Sequence, residues 1–478
     1  MALVLSIFLC LTTGYLVVAV VWALRASRPA DFLLRASLSA GYGLGICSIT
    51  YFIARAGDFS LLTLDLFALA LPLFLLSWRR KPAIFAGDVA TSQISTLWPL
   101  WLRRTIAASF VIALCAAIYS AIRLAISHPH GDGWDAFAIW NLHARFLFRG
   151  GAQWRDGFSA LIPWSHPDYP LLLPAAIAHF WTFLGHEDMA VPALIGLAFT
   201  FSTIGLLVSS LALLRGSTVA MLGGLTLLST PFFVEQGAAQ YADVPASFFV
   251  LATIVLLALY DQSADGFTGR GFLVLAGLGA GFAAWTKNEG LLFVLSILAV
   301  RLLEWIAQRN HNHLSNRWNA WLLILISFAP ALLLIAWFKH SVAPASELFS
   351  NPGALHKLLV PSRYGAILKW YGKGFLRFGE WAFIPGTLLL VGLYFAANRR
   401  AGSDHAPGTR ASAIALGLTL AGYFVIYLIT PYELYWHLRF SLDRLFLQLW
   451  PSAIFLFFLA FAPVQKRESP YSVFWAVT

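Results

Sequence analysis

Charged residues are scarce in this sequence. Asp, Glu, Lys and Arg make up 11% of its 478 residues, against about 25% in an average soluble protein. Hydrophobic residues reach 59%, and the mean hydropathy is +0.74. This composition excludes an ordinary soluble enzyme, a disordered chain and a nucleic-acid-binding protein, and it predicts that lipid surrounds most of the chain.

Cysteine is also rare. The chain has three cysteines, Cys10, Cys47 and Cys115, and each lies inside an apolar run. Three thiols in such positions form neither a disulfide framework nor a four-ligand zinc site, so we expect them to be small buried side chains. We expect no cofactor. A divalent metal remains an alternative, although no His, Asp or Glu spacing supports one.

Long apolar runs dominate the sequence instead. A bilayer core about 30 Å thick needs about 20 residues per helix, and about thirteen segments approach this length. The predicted fold is an all-α polytopic membrane protein. The expected spans are 3–24, 33–54, 60–78, 105–127, 190–214, 218–234, 243–260, 272–286, 290–306, 319–338, 381–397, 412–430 and 445–463.

The distribution of basic residues predicts how these spans are oriented. Arg and Lys cluster after the first span and between the third and fourth, which places those connections in the cytoplasm. The later basic clusters are also cytoplasmic if residues 169–185 form a juxtamembrane helix along the outer surface. Long outer segments are then expected at 128–167 and 339–380.

The segment 339–380 has an unusual basic excess for an outer loop. It carries six basic residues against Glu347 and Glu380. One interpretation is attraction to anionic lipid headgroups, and the other is a site for a phosphorylated lipid. The basic residues are Lys339, Lys357, Arg363, Lys369, Lys373 and Arg377.

The densest polar cluster follows the fourth span and contains Asp132 and Asp135. If residues 135–149 form one helix, Asp135, Asn141 and two arginines, Arg145 and Arg149, share one stripe, which suits a helix lying in the membrane interface. A carboxylate there can act as a general base. The alternative is that one of these aspartates only caps the helix.

Further polar residues lie at the same predicted face. Anchoring at the interface explains Tyr169 but not His166 beside Asp168, which suit a phosphate, an acceptor hydroxyl or a metal. Asp243 is either a site residue or a helix cap. Lys287 and Glu289 either line a cavity or neutralise each other. Arg439 and Arg444 suit a phosphate or pair with nearby acids.

From about residue 105 to 300 the chain resembles the GT-C membrane glycosyltransferases, in the branch of the protein O-mannosyltransferases and the lipid A aminoarabinose transferase. The motifs, in order, are an Asp opening the first loop helix, a Gly-containing break, a Pro-Tyr-Pro-Leu-type helix, Tyr-Ala-Asp-x-Pro and Thr-Lys-x-x-Gly. They correspond to Asp135, Gly150-Gly151, Asp168 to Pro174, Tyr241 to Pro245 and Thr286 to Gly290. Many relatives have an acidic residue where this chain has Ala136.

The resemblance implies a polyprenyl-phosphate sugar donor and one inverting displacement at the outer face of the membrane, in bacteria the periplasmic face of the inner membrane. Asp135, with Asp132 beside it, would be catalytic, and the acceptor would be a lipid, a glycan or a protein. Membrane lipids are expected partners, and nucleic acids are not. The implied substrate-binding residues are His166, Asp168, Tyr169, Asp243, Lys287, Glu289, Arg363, Arg439 and Arg444.

The same reading divides the chain into three segments. Residues 1–104 are additional N-terminal helices, 105–318 form the catalytic core with an outer loop at 128–189, and 319–478 form C-terminal helices with the loop at 339–380. Two other functions remain open. A transporter of lipid-linked glycans or small solutes would place polar residues at mid-membrane, and a glycan polymerase or ligase would also have arginine-bearing outer loops.

Overall fold

The computed structural model describes residues 1–22, 28–78, 98–263, 269–307, 314–350, 353–379 and 408–461. These residues form helices and connecting turns, with no strand among them. We number the α-helices in chain order: α1 Ala2–Val21, α2 Pro29–Gly57, α3 Leu61–Trp78, α4 Leu100–Ser127, α5 Asn141–Arg149, α6 Leu172–Leu184, α7 Ala190–Arg215, α8 Ser217–Leu228, α9 Pro231–Ala238, α10 Asp243–Asp261, α11 Arg270–Thr286, α12 Asn288–Ala307, α13 Leu314–Ser341, α14 Glu347–Ser350, α15 Ala354–Lys357, α16 Pro361–Arg377, α17 Thr409–Ile429 and α18 Leu434–Phe461.

The protein is an integral, multi-pass membrane protein. Nine helices in the described ranges are long and apolar enough to cross a bilayer, and α8 with α9, bent by 68°, would be a tenth. Thirteen spans were expected, and that number is not confirmed. Helices α11 and α12 form where spans were predicted but are not among the nine, and the predicted span at 381–397 lies outside the described residues.

The helices differ sharply in how much of their surface the protein covers. Every residue of α10 from Asp243 to Leu259 is buried, whereas α3 buries only Asp65 and Pro72. An apolar helix that is exposed on most sides is stable only where lipid is the solvent. Helix α10 therefore forms the centre of the bundle, and α3 lies at its periphery.

One cysteine contradicts the expectation of burial. Cys10 and Cys47 are buried, but Cys115 is exposed. It lies on α4, where only Ile106, Ala117 and Ala121 are buried. An apolar run in a membrane protein does not distinguish a side chain facing lipid from one facing protein, which is why the expectation was wrong for Cys115.

Helix α6 corresponds to the predicted juxtamembrane helix. Its 13 residues are too few to span a bilayer core about 30 Å thick. The first ten are buried in the protein, so α6 is enclosed rather than laid along a lipid surface. His179 Nε2 lies 2.9 Å from Asp65 Oδ2, and Thr50 donates to the other oxygen of Asp65, which ties α6 to α2 and α3.

Helix ends and long connections meet at one end of the bundle. Helix α10 begins there, α11 ends and α12 begins there, and α13 and α17 end there. The segment between α4 and α7 reaches the same end, as the contact of Asp168 with Lys339 shows. This end collects the charged residues that the sequence scatters over more than 300 positions, and it is the candidate functional site.

Candidate functional site

The first part of the site is the turn that precedes α5. Gly131 and Gly133 have φ values of 84° and 88°, in the left-handed region that glycine tolerates. A Cβ at Gly133 would also clash with the hydroxyl of Tyr241. The sequence Gly-Asp-Gly therefore allows this turn to approach Tyr241 closely, and it leads directly into Asp135.

Residues 136–140 form a π-helix before α5 begins at Asn141. A π-turn adds a residue per turn and is common at functional sites. It interrupts the regular α-helix expected over 135–149, and the predicted polar stripe is not formed. Asn141 is buried and donates to Gln240 at 2.9 Å, while Arg145 and Arg149 both pair with Glu187.

Asp243 is the most enclosed carboxylate of the site, with no exposed surface. Its Oδ1 accepts from Lys287 Nζ at 2.9 Å and from Gln448 Nε2 at 2.7 Å. Its Oδ2 accepts from Arg444 Nε at 2.9 Å. A buried carboxylate with three donors is fixed as an anion, so Asp243 holds the cations in position and is not available as a base.

Arg444 joins the two aspartates. Its Nη2 lies 2.7 Å from Asp135 Oδ2, while its Nε bonds to Asp243. The guanidinium also stacks over the ring of Tyr241, 4.7 Å from the ring centre. Asp135 is thus held by one of its two oxygens, with about a fifth of its side chain exposed.

Lys287 lies at a break between two helices. It ends α11 in an extended conformation, and α12 begins at the next residue. The turn is tight enough that a Cβ at Gly290 would clash with the backbone of Ala283. Lys287 Nζ lies 2.9 Å from Asp243 and 3.3 Å from Glu289, so its charge is shared between two carboxylates.

These contacts form one continuous series of alternating charges. We call Asp135, Arg444, Asp243, Lys287 and Glu289 the charge chain. Asp243 and Lys287 are almost fully buried, and Asp135 and Arg444 are each nearly one-fifth exposed. Ionised groups are stable in such surroundings only when each is paired, and every member of the charge chain has an oppositely charged neighbour.

A second polar group adjoins the charge chain. Asp168 Oδ2 accepts from Asn288 Nδ2 at 3.0 Å and lies 3.3 Å from Lys339 Nζ. Lys339 also donates to Asn288 Oδ1 at 2.8 Å and to the carbonyl oxygen of Asp168. Since Asn288 is next to Lys287, the loop that contains Asp168 is fixed beside the charge chain.

Aromatic rings cover this loop. Tyr169 is stacked between Trp140 and His166, at 5.7 Å and 4.8 Å between ring centres, and Lys287 lies 5.8 Å from the centre of the Tyr169 ring.

Burial lowers the pKa of His166, although Asp135 and Asp168 oppose the shift. Burial, followed by the charge of Asp135, raises the pKa of Tyr241 to about 12. At neutral pH His166 is therefore uncharged and Tyr241 keeps its proton.

Not every predicted residue joins the site. Asp132 is exposed in the turn before Asp135. Arg363 donates to the carbonyls of Leu428 and Tyr427 at the end of α17, and Arg439 is exposed beside Phe440. The structure brings together Asp135, Asp168, Tyr169, His166, Asp243, Lys287, Glu289 and Arg444.

Three contributors were not predicted as site residues: Gln448, Asn288 and Lys339. Gln448 has a signal in the sequence, because it is a polar residue four positions after Arg444 in an apolar helix, on the same face. Asn288 follows Lys287, and Lys339 had been counted only as part of the basic loop. Among the described residues, no group of three or more His, Cys, Asp or Glu side chains is arranged to hold a metal ion.

Comparisons with known proteins give one family. The model of the dolichyl-phosphate-mannose-protein mannosyltransferase family matches residues 165–337. This stretch includes Asp168, Asp243 and Lys287 but neither Asp135 nor Arg444. No curated protein matches the chain.

Two solved structures of ArnT from Cupriavidus metallidurans are similar. The structure bound to undecaprenyl phosphate is 16% identical in sequence, with a TM-score of 0.42, and the alignment covers 73% of this chain and 59% of the ArnT chain. The structure in the apo state is 14% identical, with a TM-score of 0.40, and the alignment covers 73% of this chain and 60% of the ArnT chain. The chain thus spans less than two thirds of either protein. The family match agrees with the resemblance that the motifs predict: over residues 165–337, about a third of its length, this chain is similar to the dolichyl-phosphate-mannose-protein mannosyltransferases.

Proposed function

We propose that the protein is a glycosyltransferase that moves a sugar from a polyprenyl-phosphate-linked donor to an acceptor hydroxyl, with inversion. The reaction takes place at the outer face of the membrane, which in a bacterium is the periplasmic face of the inner membrane. The observation that carries this proposal is the charge chain, in which a partly exposed carboxylate, Asp135, pairs with Arg444, and Asp243 links Arg444 to the buried Lys287. The similarity to mannosyltransferases over residues 165–337 and the undecaprenyl phosphate bound in the ArnT structure agree with a lipid-phosphate donor.

Asp135 is the general base in this proposal. Arg444 engages Oδ2, which leaves Oδ1 to take the proton of the acceptor hydroxyl. The acceptor oxygen then bonds to the anomeric carbon as the bond from that carbon to the phosphate oxygen breaks. The electron pair leaves with the polyprenyl phosphate, and the scheme uses only side chains of this chain. A base in this role typically contributes about 10²- to 10⁴-fold to the rate.

The cations stabilise the departing phosphate. Negative charge grows on the phosphate in the transition state, and fixed cations in a water-poor site oppose it strongly. Arg444 and Lys287 are held in place by Asp243, so they need little reorganisation when the charge appears. His166, Asp168, Tyr169 and Glu289 lie close to Lys287 through direct or neighbouring contacts and would orient the sugar or the acceptor.

The test is release of polyprenyl phosphate by the purified full-length protein in lipid nanodiscs. A panel of undecaprenyl-phosphate-linked sugars would be offered with a crude envelope extract as the acceptor source. Asp135→Asn should reduce the release by about 10²-fold or more, because the amide cannot take the proton. Asp156→Asn, an exposed carboxylate in the same segment, should match the parent protein.

Two results would count against the proposal. Parent-like release by Asp135→Asn would remove Asp135 as the base. No release by the parent protein from any donor of the panel would remove the polyprenyl-phosphate donor. Asp132→Asn changes only the exposed one of the two predicted catalytic aspartates, so comparing its release with that of Asp135→Asn separates their contributions.

A further inference from the structure

The basic residues of the segment 339–380 fall into two groups. Lys339, Lys357 and Arg363 are turned inward and donate to oxygen atoms of the protein. Lys339 bonds to Asp168 and Asn288, Lys357 to the carbonyl of Thr430, and Arg363 to the carbonyls of Leu428 and Tyr427. These three are committed to holding the helix ends together, so they do not account for the basic excess of the segment.

The second group is Lys369, Lys373 and Arg377. They are spaced four residues apart on α16, and all three are exposed. A four-residue spacing places them in one row along the helix, with about 6 Å of rise between neighbours. Within the described residues, no Asp or Glu is in salt-bridge distance of any of them. The row is an exposed strip of positive charge.

The other faces of α16 are also distinct. Ile367, Tyr371 and Gly374 are buried, and a Cβ at Gly374 would clash with the ring of Phe446 on α18. Between this buried face and the cationic row lies a third strip of exposed apolar side chains. Its largest members are Leu368, Phe375 and Leu376, exposed by 62%, 63% and 77%.

This three-sided pattern matches a helix in the membrane interface. One side is covered by protein, one offers apolar side chains to lipid tails, and one offers cations to headgroups. We propose that α16 lies in the interface and binds anionic lipid headgroups of the surrounding bilayer through Lys369, Lys373 and Arg377. The occupant is bulk anionic phospholipid, which carries the charge opposite to that of the row.

The geometry favours neighbouring headgroups over the phosphate of one donor lipid. The row is about 12 Å long, so a single phosphate would reach all three cations only if their side chains converged. Several headgroups in the plane of the membrane can each contact one cation without convergence. The row is also separate from the charge chain, whose cations are Arg444 and Lys287.

A fluorescence experiment on the full-length protein tests this proposal. In a Cys115→Ser background, where the two remaining cysteines are buried, Gly372→Cys would carry a fluorophore. Gly372 is exposed on α16, with open space around its Cβ position. The protein would be placed in nanodiscs of phosphatidylcholine with a minor fraction of phosphatidylglycerol. Quenching by nitroxide-labelled phosphatidylglycerol would be compared with quenching by nitroxide-labelled phosphatidylcholine.

We expect the anionic lipid to quench at least about threefold more than the neutral lipid at low salt, because each basic residue near a membrane surface attracts anionic lipid appreciably. High salt should reduce the ratio by shortening the screening length. The ratio should fall close to one in the triple variant Lys369→Gln, Lys373→Gln, Arg377→Gln. A fluorophore at Ile112→Cys, on the exposed side of α4, serves as the control and should show no preference.

Three outcomes would overturn the proposal. A ratio near one in the parent would show that α16 attracts no anionic lipid. A preference that persists in the triple variant would assign it to other residues. Loss of the preference on adding trace undecaprenyl phosphate would show that the row binds the donor lipid instead. The readout does not require sugar transfer, so it can fail or succeed independently of the proposed function.

Discussion

The two long connecting segments, 128–189 and 339–380, meet at the same end of the bundle but use charge differently. The first has six acidic and three basic residues, and the second has two acidic and six basic. In the first, Asp135, Asp168, Arg145, Arg149 and Glu187 all pair with charges inside the protein. In the second, Lys339 pairs with Asp168, and the other cations donate to backbone carbonyls or remain exposed.

The difference shows what burial of charge requires. A buried ion is tolerated when an opposite charge and further hydrogen bonds compensate for lost water. The acidic segment obtains its partners from elsewhere in the chain, since Asp135 pairs with Arg444 and Asp168 with Lys339. The basic segment has too few acids of its own to neutralise its cations, and three of them are left at the surface of α16.

The largest expected effect is on the most deeply buried charge. Asp243→Asn would leave Lys287 and Arg444 without their common partner, and removing one member of a buried ion pair typically costs about 3–5 kcal/mol. We expect the free energy of unfolding in detergent micelles to fall by about this amount. Asp156→Asn, at an exposed position, is the matched control. Equal unfolding midpoints for the two variants would show that the charge chain does not stabilise the fold.

A smaller effect is expected from pH in the acidic segment. Burial lowers the pKa of His143 to about 3, and its neutral ring lies 3.4 Å from Ser165 and against Phe158. In the unfolded chain the pKa is about 6.5, so the unfolded state takes up the proton first. The contribution of His143 is complete above pH 6.5 and is lost as the pH falls, by about 2 kcal/mol between pH 7 and pH 5.

The measurement is the free energy of unfolding at both pH values, for the parent and for His143→Gln. The difference between the two proteins isolates this histidine, because all other titrating groups are common to both. A pH dependence that is identical in the parent and the variant would contradict the assignment.

The smallest expected effect tests the difference between the inward-facing and the exposed cations of the segment 339–380. Lys339→Met would remove the donor that binds Asp168 and Asn288, at a partly exposed position, and should cost about 1 kcal/mol locally. Hydrogen exchange of the backbone amides near Asp168 should then speed up about fivefold. Lys373→Met, in the exposed row, should leave those amides unchanged. If both variants behaved alike, the distinction between the two groups of cations would be lost.

Much of the fold could be predicted from the sequence. Long apolar runs correspond to helices because the backbone must satisfy its own hydrogen bonds in lipid. The similarity of residues 165–337 to the mannosyltransferase family was also predictable, since short motifs such as Tyr241 to Pro245 and Thr286 to Gly290 keep their order along the chain. The number of spans is not confirmed, because length alone does not separate a crossing helix from a shorter buried one such as α11.

The candidate site was predictable only in part. Asp135, Asp243 and Lys287 stand out as polar residues at the ends of apolar segments, so each could be found singly. Their pairing could not, since the two aspartates are joined by Arg444, which lies 201 residues after Asp243, in the segment 319–478 rather than in the predicted catalytic core. Arg363 and Arg444 look alike in the sequence, yet one caps a helix end and the other joins two aspartates.

The sequence by itself determined that this chain lies in a membrane, which segments form helices, and which family residues 165–337 resemble, because hydropathy and short motifs are local properties. Only the tertiary structure decided which charges meet. The energy of an ion pair depends on distance and on the surrounding dielectric, and both are set by helices that are far apart in the chain but adjacent at one end of the bundle.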